Sequence, residues 1–385
     1  MELIRLSACD YEDATDFLNM VFSTAHCPME FRSMIPLIYQ PTEEKMRCNF
    51  AVRENGKIRA IVGLFPAEMQ VGDTVLKLGG IGGVSSHPND RGRGWMKALM
   101  NRVDEEMLTD GTDLSWLGGL RQRYQYYGYE KTGILLSYEI SDTNIRHHFA
   151  GQEPPLHFVP IGEHDQNYLT AARALHDAQP LYCHRAPEEF YLYCLSENTI
   201  PYAALTAEGQ FAGYLCARAK SRSITECFPA EGVDAGEMIH SWITEQHAKE
   251  VTVLLAPWQK AAARSLAAIA ENWSPIDNDN WKIYHWDRVV GALLRIKAWD
   301  TVLPNGTLSI GIQGYGTLEI CIENGTVRCE MTDAEPQINW DSFTAMRVLF
   351  GHAPAIYSAE IPEELQHTVH AWFPLPLSWL VQNHV

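Results

Sequence analysis

The chain has 385 residues, 46% hydrophobic and 20% charged, too long for one small core and too apolar for bulk disorder. Its 48 acidic against 30 basic residues give a formal charge of −18, which makes phosphate backbones and anionic membrane surfaces poor partners and cationic ligands, amines in particular, suitable ones. No apolar run approaches the roughly 18 to 20 residues of a membrane span, and the acid-bearing start MELIRLSACDYEDATDF lacks the pattern of a secretion signal, so a cytoplasmic protein is expected.

In chain order, residues 10–25 set Phe17, Leu18, Val21 and Phe22 at helical spacing, with Asp10 as N-cap and Asp13 three residues on. Strands are predicted at 49–54, 57–69 and 75–86, the first two joined by Asn55-Gly56, a type I′ hairpin signal because both turn positions need positive φ. A helix over 94–107 aligns Met96, Leu99, Met100, Val103 and Met107. A strand at 113–117 leads into Gly118-Gly119 and a tyrosine cluster, and 134–140 reads as another strand.

The Gly- and Pro-containing stretch 151–155 marks a boundary. Beyond it the same grammar returns more faintly: helices near 167–177 and 187–195, strands flanking Glu208-Gly209, a helix over 235–249, a strand at 251–255 and a helix over 259–271. That is the pattern of a degenerate duplicate. The last hundred residues change character, with a helix at 289–299, strands at 306–312, 316–322 and 326–331 around an Asn324-Gly325 hairpin, and helices at 341–350 and 362–369. The ending Trp372-Phe373-Pro374-Leu375-Pro376-Leu377-Ser378-Trp379-Leu380-Val381 is too hydrophobic for a frayed tail and is expected to thread into the protein. The expected fold is α/β (α+β), divided into residues 1–150, 151–286 and 287–385.

Nine cysteines, odd in number and without a CxxC pair, read as reduced thiols, mostly buried, rather than a disulfide framework or zinc site. Fifteen histidines also lack ligand spacing, so no metal is implied.

The most informative stretch is Gly83-Val84-Ser85-Ser86-His87-Pro88-Asn89-Asp90-Arg91-Gly92-Arg93-Gly94-Trp95-Met96-Lys97. A strand feeds a glycine- and arginine-containing turn that opens into an amphipathic helix, whose unpaired N–H groups and dipole suit an anion. Gly92 and Gly94 let the main chain approach a bulky anion, and Arg91 and Arg93 add positive charge. The stretch is not GxxxxGK[ST] and meets GxGxxG only in part, so nucleotide hydrolysis and a dinucleotide fold fit worse. The plain alternative is a strand–turn–helix with solvated arginines.

Residues 84–100 resemble the acetyl-CoA motif of the GNAT N-acetyltransferase superfamily, Arg/Gln-x-x-Gly-x-Gly/Ala, here Arg91-Gly92-Arg93-Gly94-Trp95-Met96. In layout the whole chain is similar to the Eis (enhanced intracellular survival) group, in which the last motif position, here Met96, is often a larger aliphatic. The resemblance implies a GNAT domain over 1–150, a degenerate GNAT-like domain over 151–286 and a sterol-carrier-protein-like domain over 287–385. It also implies acetyl-CoA as co-substrate, an aminoglycoside, polyamine or peptide lysine as acceptor, and a hexamer. Main-chain groups of Val84 and Ser86 would bind the pantetheine arm, and those of Arg91 to Met96, with Lys97, the pyrophosphate. Residues 227–235 lack the basic charge and paired glycines, which reads as an inactive copy.

Four tyrosines crowd residues 124–129, a number that also suits plain aromatic packing. Matched on Tyr127-Gly128-Tyr129, the resemblance makes Tyr124 the proton donor to the departing thiolate, with Tyr126 as rival. The Eis group uses its own C-terminal carboxylate as base, here that of Val385, and His384 offers an imidazole at the same place. Free carboxylates titrate near pKa 3.5, so desolvation must strengthen such a base. Asp10, Glu12, Glu30, Glu68 and Glu130 are candidates for an anionic acceptor pocket, though each also fits a solvated surface charge. The competing readings are a lipid- or CoA-binding module without turnover and an inactive structural duplicate.

Overall fold

A computed structural model describes residues 2–25, 28–218 and 223–385. Three sheets organise the chain. The first runs in the order Glu2–Arg5, Asn49–Glu54, Lys57–Val71, Thr74–Ser86, Leu114–Leu117, Asn280–Ile283, Glu130–Lys131, with Leu181–Cys183 added beside Lys57–Val71. The second runs Asn272–Ile276, Leu135–Ser141, Glu250–Leu255, Ser223–Pro229, Phe211–Arg218, Thr199–Thr206, Leu156–Pro160. The third has four strands, Thr326–Thr332, Gly316–Glu323, Gly306–Ile312 and Ile338–Trp340. Helices cover all three, so the architecture is mixed α+β.

The local expectations hold where the signal is local. Asn55 and Gly56 sit at φ 53° and 75°, as a type I′ turn requires. The helix Trp95–Thr109 buries Leu99, Met100, Val103 and Met107 against the first sheet, whose opposite face carries Leu18, Phe17 and Val21 of the helix Tyr11–Ala25. The cap at that first helix differs from expectation: Asp10 is itself the acceptor, taking hydrogen bonds from the Ser7 N–H and hydroxyl, both at 2.8 Å.

The division at residue 150 does not follow the sheets. Leu135–Ser141, expected with the first unit, pairs with Glu250–Leu255 and Asn272–Ile276 in the second sheet. Asn280–Ile283, expected with the second, lies between Leu114–Leu117 and Glu130–Lys131 in the first. Apolar alternation marks each segment as a strand, but its partner is decided by a distant surface. Tyr138 and Ile140 fill the second core, while Trp281 and Ile283 fill the core shared by the first and third sheets.

The eight cysteines among the described residues are unpaired, and four are buried; Cys27 lies outside the described residues. Among the described residues no helix is long and apolar enough to cross a membrane.

Candidate active site

Strand Thr74–Ser86 pairs in parallel with Leu114–Leu117 from Leu78↔Leu114 to Ile81↔Leu117, and there the ladder ends while the 74–86 strand runs on. Just beyond, Gly82 faces Gly63 and Ser85 faces Ile61, so the strand carries one extra residue, and Gly83 takes it up at φ 59°. A bulge bends a strand and increases its twist, and here it falls just past the last parallel pair Ile81↔Leu117. Val84 is half-buried on that end, and Ser86 closes the pairing opposite Ala60.

The turn leading from this strand is open. Gly92 and Gly94 have φ 85° and 80°, and beyond the adjacent residues no atom of the described residues lies within 4 Å of where a Cβ would stand on either. Gly94 is the N-cap of the fifteen-residue helix Trp95–Thr109, with no side chain bonded to its first-turn amides. The helix dipole adds partial positive charge at this end, which suits an anion. The arginines divide. Arg91 is exposed and has no ion pair among the described residues, whereas Arg93 is held by Glu54 at 2.8 Å and Asp90 at 3.0 Å and lies over the Trp95 ring. Arg93 therefore braces the turn, and the positive charge expected from it is neutralised locally. Lys97 is exposed one turn along the helix and donates to the Tyr126 hydroxyl at 3.0 Å. Met96 is half-buried against the core beneath.

The tyrosine cluster resolves into different fates. Tyr129 is buried and its hydroxyl meets Ser115 at 2.7 Å, a core contact. Tyr126 is 69% exposed and is tied to Lys97. Tyr124 is 5% exposed and packs beside the Gly118-Gly119 corner that follows the shorter parallel strand; a Cβ on Gly119 would come within 2.9 Å of its ring. Burial raises the Tyr124 pKa, with Arg123 opposing the shift, so the phenol holds its proton.

The C-terminal tail threads through the molecule, as its hydrophobicity implies. Leu377 to Asn383 are buried, and His384 stacks on Trp116 of the first sheet, ring centroids 4.4 Å apart. Val385 ends against the 74–86 strand: a Cβ on Gly82 would lie 2.5 Å from its carboxyl carbon and 2.6 Å from its oxygen, and one on Gly80 2.8 Å from its side chain. Glycine at both positions is what lets the chain terminus reach the sheet. The terminal carboxyl thus sits at the first residue past the end of the parallel ladder, with the His384 ring one residue away.

The acidic candidates are mostly committed elsewhere. Asp10 pairs with Arg53, Glu12 with Arg32 and Glu68 with His184, while Glu30 accepts from Asn19. Glu130 is fully buried, bonded to Arg121, Gln125 and Arg347, and welds the first sheet to the helix Ser342–Phe350. Burial opposes its charge, but Arg121, Gln125 and the Lys131 N–H lower its pKa from the ordinary carboxylate value.

Residues without a local sequence signal complete the surroundings. The Tyr39 hydroxyl is buried beside the bulge with no partner among the described residues, 2.8 Å from where a Gly83 Cβ would be. Glu197 and Asn198, consecutive at φ 61° and 58°, hold a strained turn from which the Glu197 carboxylate reaches Arg218 at 2.9 Å and the His384 Nδ1 at 3.8 Å. A cavity of about 740 Å³ opens between the first sheet and the 182–193 segment, and of the predicted acidic candidates Glu68 lines it, beside its partner His184. Cys194, Cys216 and Glu226 bring three potential ligand atoms within 4.8 Å of one another, yet Glu226 is already paired with Arg185.

Residues 2–132 match the family model of the acetyltransferase (GNAT) domain. This stretch is a GNAT acetyltransferase domain. The protein that carries it is an N-acetyltransferase, and enzymes of this domain class use acetyl-CoA. Similar solved structures span the whole chain. A conserved protein from Enterococcus faecalis V583, described as a probable N-acyltransferase, is 13% identical with a TM-score of 0.69, covering 98% of each chain. A GCN5-related N-acetyltransferase from Kribbella flavida is 14% identical with a TM-score of 0.69, covering 100% of this chain and 98% of its own. Eis1 from Mycobacterium abscessus is 11% identical with a TM-score of 0.66, covering 100% of both chains. At such low identity these likenesses speak for the fold. No curated protein sequence matches the chain.

Proposed function

We propose that the protein transfers the acetyl group of acetyl-CoA to a primary amine by direct attack, the acceptor being an aminoglycoside, a polyamine or a peptide lysine. The pyrophosphate lies on main-chain groups of residues 91–96 with Lys97, and the pantetheine arm runs along Val84 and Ser86 past the end of the parallel ladder. The amine nitrogen bonds to the thioester carbonyl carbon and the carbon–sulfur bond breaks. The amine's proton passes to the Val385 carboxylate, with His384 as the neighbouring alternative, and Tyr124 protonates the thiolate.

One observation carries this reading: the carboxyl of Val385 rests against Gly82, one residue past the last parallel pair Ile81↔Leu117. A base from the far end of the chain stands where an ammonium must lose a proton. The buried Tyr124 beside the end of the other strand supplies an acid, and an acidic chain of net charge −18 attracts the acceptor.

The test is thiol release from acetyl-CoA against a panel of polyamines, aminoglycosides and lysine peptides. Tyr124→Phe and deletion of Val385 each lower turnover by about 10²-fold or more and leave acetyl-CoA binding intact. Full turnover in both variants refutes the assignment. The reading also includes a cytoplasmic enzyme, a sterol-carrier-like unit over 287–385 and a hexamer, of which native mass spectrometry reads the last directly.

A further inference from the structure

The tail does not reach the first sheet unaided. Before it arrives there it crosses the second sheet, and side chains of that sheet's unit grip it. Asn278, itself buried, donates to the Trp379 carbonyl at 3.0 Å and accepts from the Trp379 N–H at 2.5 Å. The Gln382 side chain donates to Thr225 at 2.6 Å and to Thr199 at 3.3 Å. The Asn383 side-chain oxygen accepts from Arg185 twice, from Nε at 3.0 Å and Nη2 at 2.8 Å.

Arg185 is 4% exposed and is locked in turn by Glu226, 1% exposed, at 2.5 and 3.3 Å. Glu226 also accepts from the Tyr214 hydroxyl at 3.0 Å, and the Arg185 guanidinium lies over the rings of Phe190 and Tyr193. A buried ion pair gains little stability over well-packed apolar side chains of the same volume. What it supplies here is direction. A planar guanidinium pinned by a carboxylate presents two donors at a set angle to the amide of Asn383, two residues before the chain end.

Thr225 and Glu226 sit at a bulge, where Cys216 faces Glu226 and Ala217 faces Ile224. The first sheet bulges at the corresponding stage of its own strand, at Gly83. The tail therefore runs from one bulge to the other.

We infer that Arg185, oriented by Glu226, is a positioning residue for the reaction: by fixing Asn383 it sets the Val385 carboxylate against Gly82. The inference rests on the reading of that carboxylate as the base. The second unit then contributes to catalysis by aiming the terminus.

Arg185→Met leaves the Glu226 charge buried and unpaired and so threatens the fold itself. The decisive variant is Asn383→Leu, which removes the acceptor and leaves the ion pair in place. It is compared, as full-length protein, with deletion of Val385 and with the two changes combined. Turnover is measured with acetyl-CoA and the best amine of the panel, and release of Val385 by carboxypeptidase is followed by mass spectrometry without any acceptor.

Asn383→Leu is expected to lower kcat about 10- to 100-fold, to leave the KM for acetyl-CoA unchanged, to lower the melting temperature only modestly because the buried Arg185 Nε–H loses its acceptor, to speed loss of Val385, and to add no further loss of turnover once Val385 is deleted. If Val385 deletion leaves turnover intact, the base assignment falls and the inference with it. If deletion abolishes turnover while Asn383→Leu matches the parent in kcat or in carboxypeptidase resistance, the inference alone falls. Losses that multiply in the combined variant also overturn it, because they mark a general structural effect.

Discussion

Two strand–turn–helix corners in this molecule share a backbone plan and differ in what their helix starts offer. At the first, Gly94 caps the helix Trp95–Thr109 with no side chain, and among the described residues only chain neighbours lie within 4 Å of a Cβ placed on Gly92 or Gly94. At the second, Asp234 caps the helix Ala235–Glu245, accepting from the Gly236 and Glu237 N–H groups and from the Ser265 hydroxyl. A Cβ on Gly236 would stand 2.8 Å from Ser265 and 2.9 Å from Asp234. The parallel strands part in both sheets, after Ile81↔Leu117 in the first and after Ile224↔Val253 in the second. In the second the gap is bridged, because Gln259 donates to the Cys227 carbonyl at 2.8 Å and accepts from the Ala256 N–H at 2.9 Å. The helix dipole thus meets no capping side chain at the first corner and an internal carboxylate at the second. On the proposed reading, the uncapped helix start is the one that takes the diphosphate.

The largest effect should come from giving the first corner the cap of the second. Gly94→Asp places a carboxylate among the free amides, in a left-handed conformation that aspartate tolerates better than most residues. Acetyl-CoA affinity should fall about 10²-fold, roughly 2.7 kcal/mol, by isothermal calorimetry. An unchanged Kd would mean the diphosphate lies elsewhere.

How much of this contrast was legible in advance follows from its range along the chain. The strand, glycine turn and helix of residues 84–100 are local, so spacing alone reveals them, and the missing basic charge in 227–235 shows equally well. The hydrophobic ending announces a buried tail. What composition and period do not carry is pairing between distant segments. The exchange of Leu135–Ser141 and Asn280–Ile283 between sheets is one case. Arg185 is another: among Cys183, His184 and Ala186 it resembles any surface arginine until Glu226 and Asn383 close around it. Glu130 reads as a surface or pocket acid for the same reason, since its partner Arg347 is 217 residues away.

The interior near Arg185 is closed to solvent. His176 is fully buried, its Nδ1 2.9 Å from Asp177 and its Nε2 without a partner among the described residues. Burial, then the Arg185 charge, depresses its pKa to about 4 against the Asp177 contact. The native state therefore resists a proton that the unfolded chain accepts near its ordinary value of about 6.5. Stability from this residue is complete above pH 6.5 and is lost as the pH falls toward 4, about 2 kcal/mol of it by pH 5. Urea unfolding across this window should show that decline, and His176→Gln should remove one proton from its slope. An unaltered slope would place the acid sensitivity in other groups.

The smallest effect tests whether the second corner is closed by its cap or by more than its cap. Asp234→Ala removes the acceptor for two helix amides and should cost about 1 kcal/mol, the usual value of an N-cap. If the carboxylate were the sole obstacle, the variant would gain a second acetyl-CoA site. Gln259 still joins the parted strands in this variant, and no arginine lies in residues 227–235 to draw a diphosphate. Calorimetric stoichiometry should therefore stay at the parent's value while the unfolding midpoint drops. A second bound equivalent would show that the cap alone separates the two copies, and that the bridge across the strands yields to a ligand.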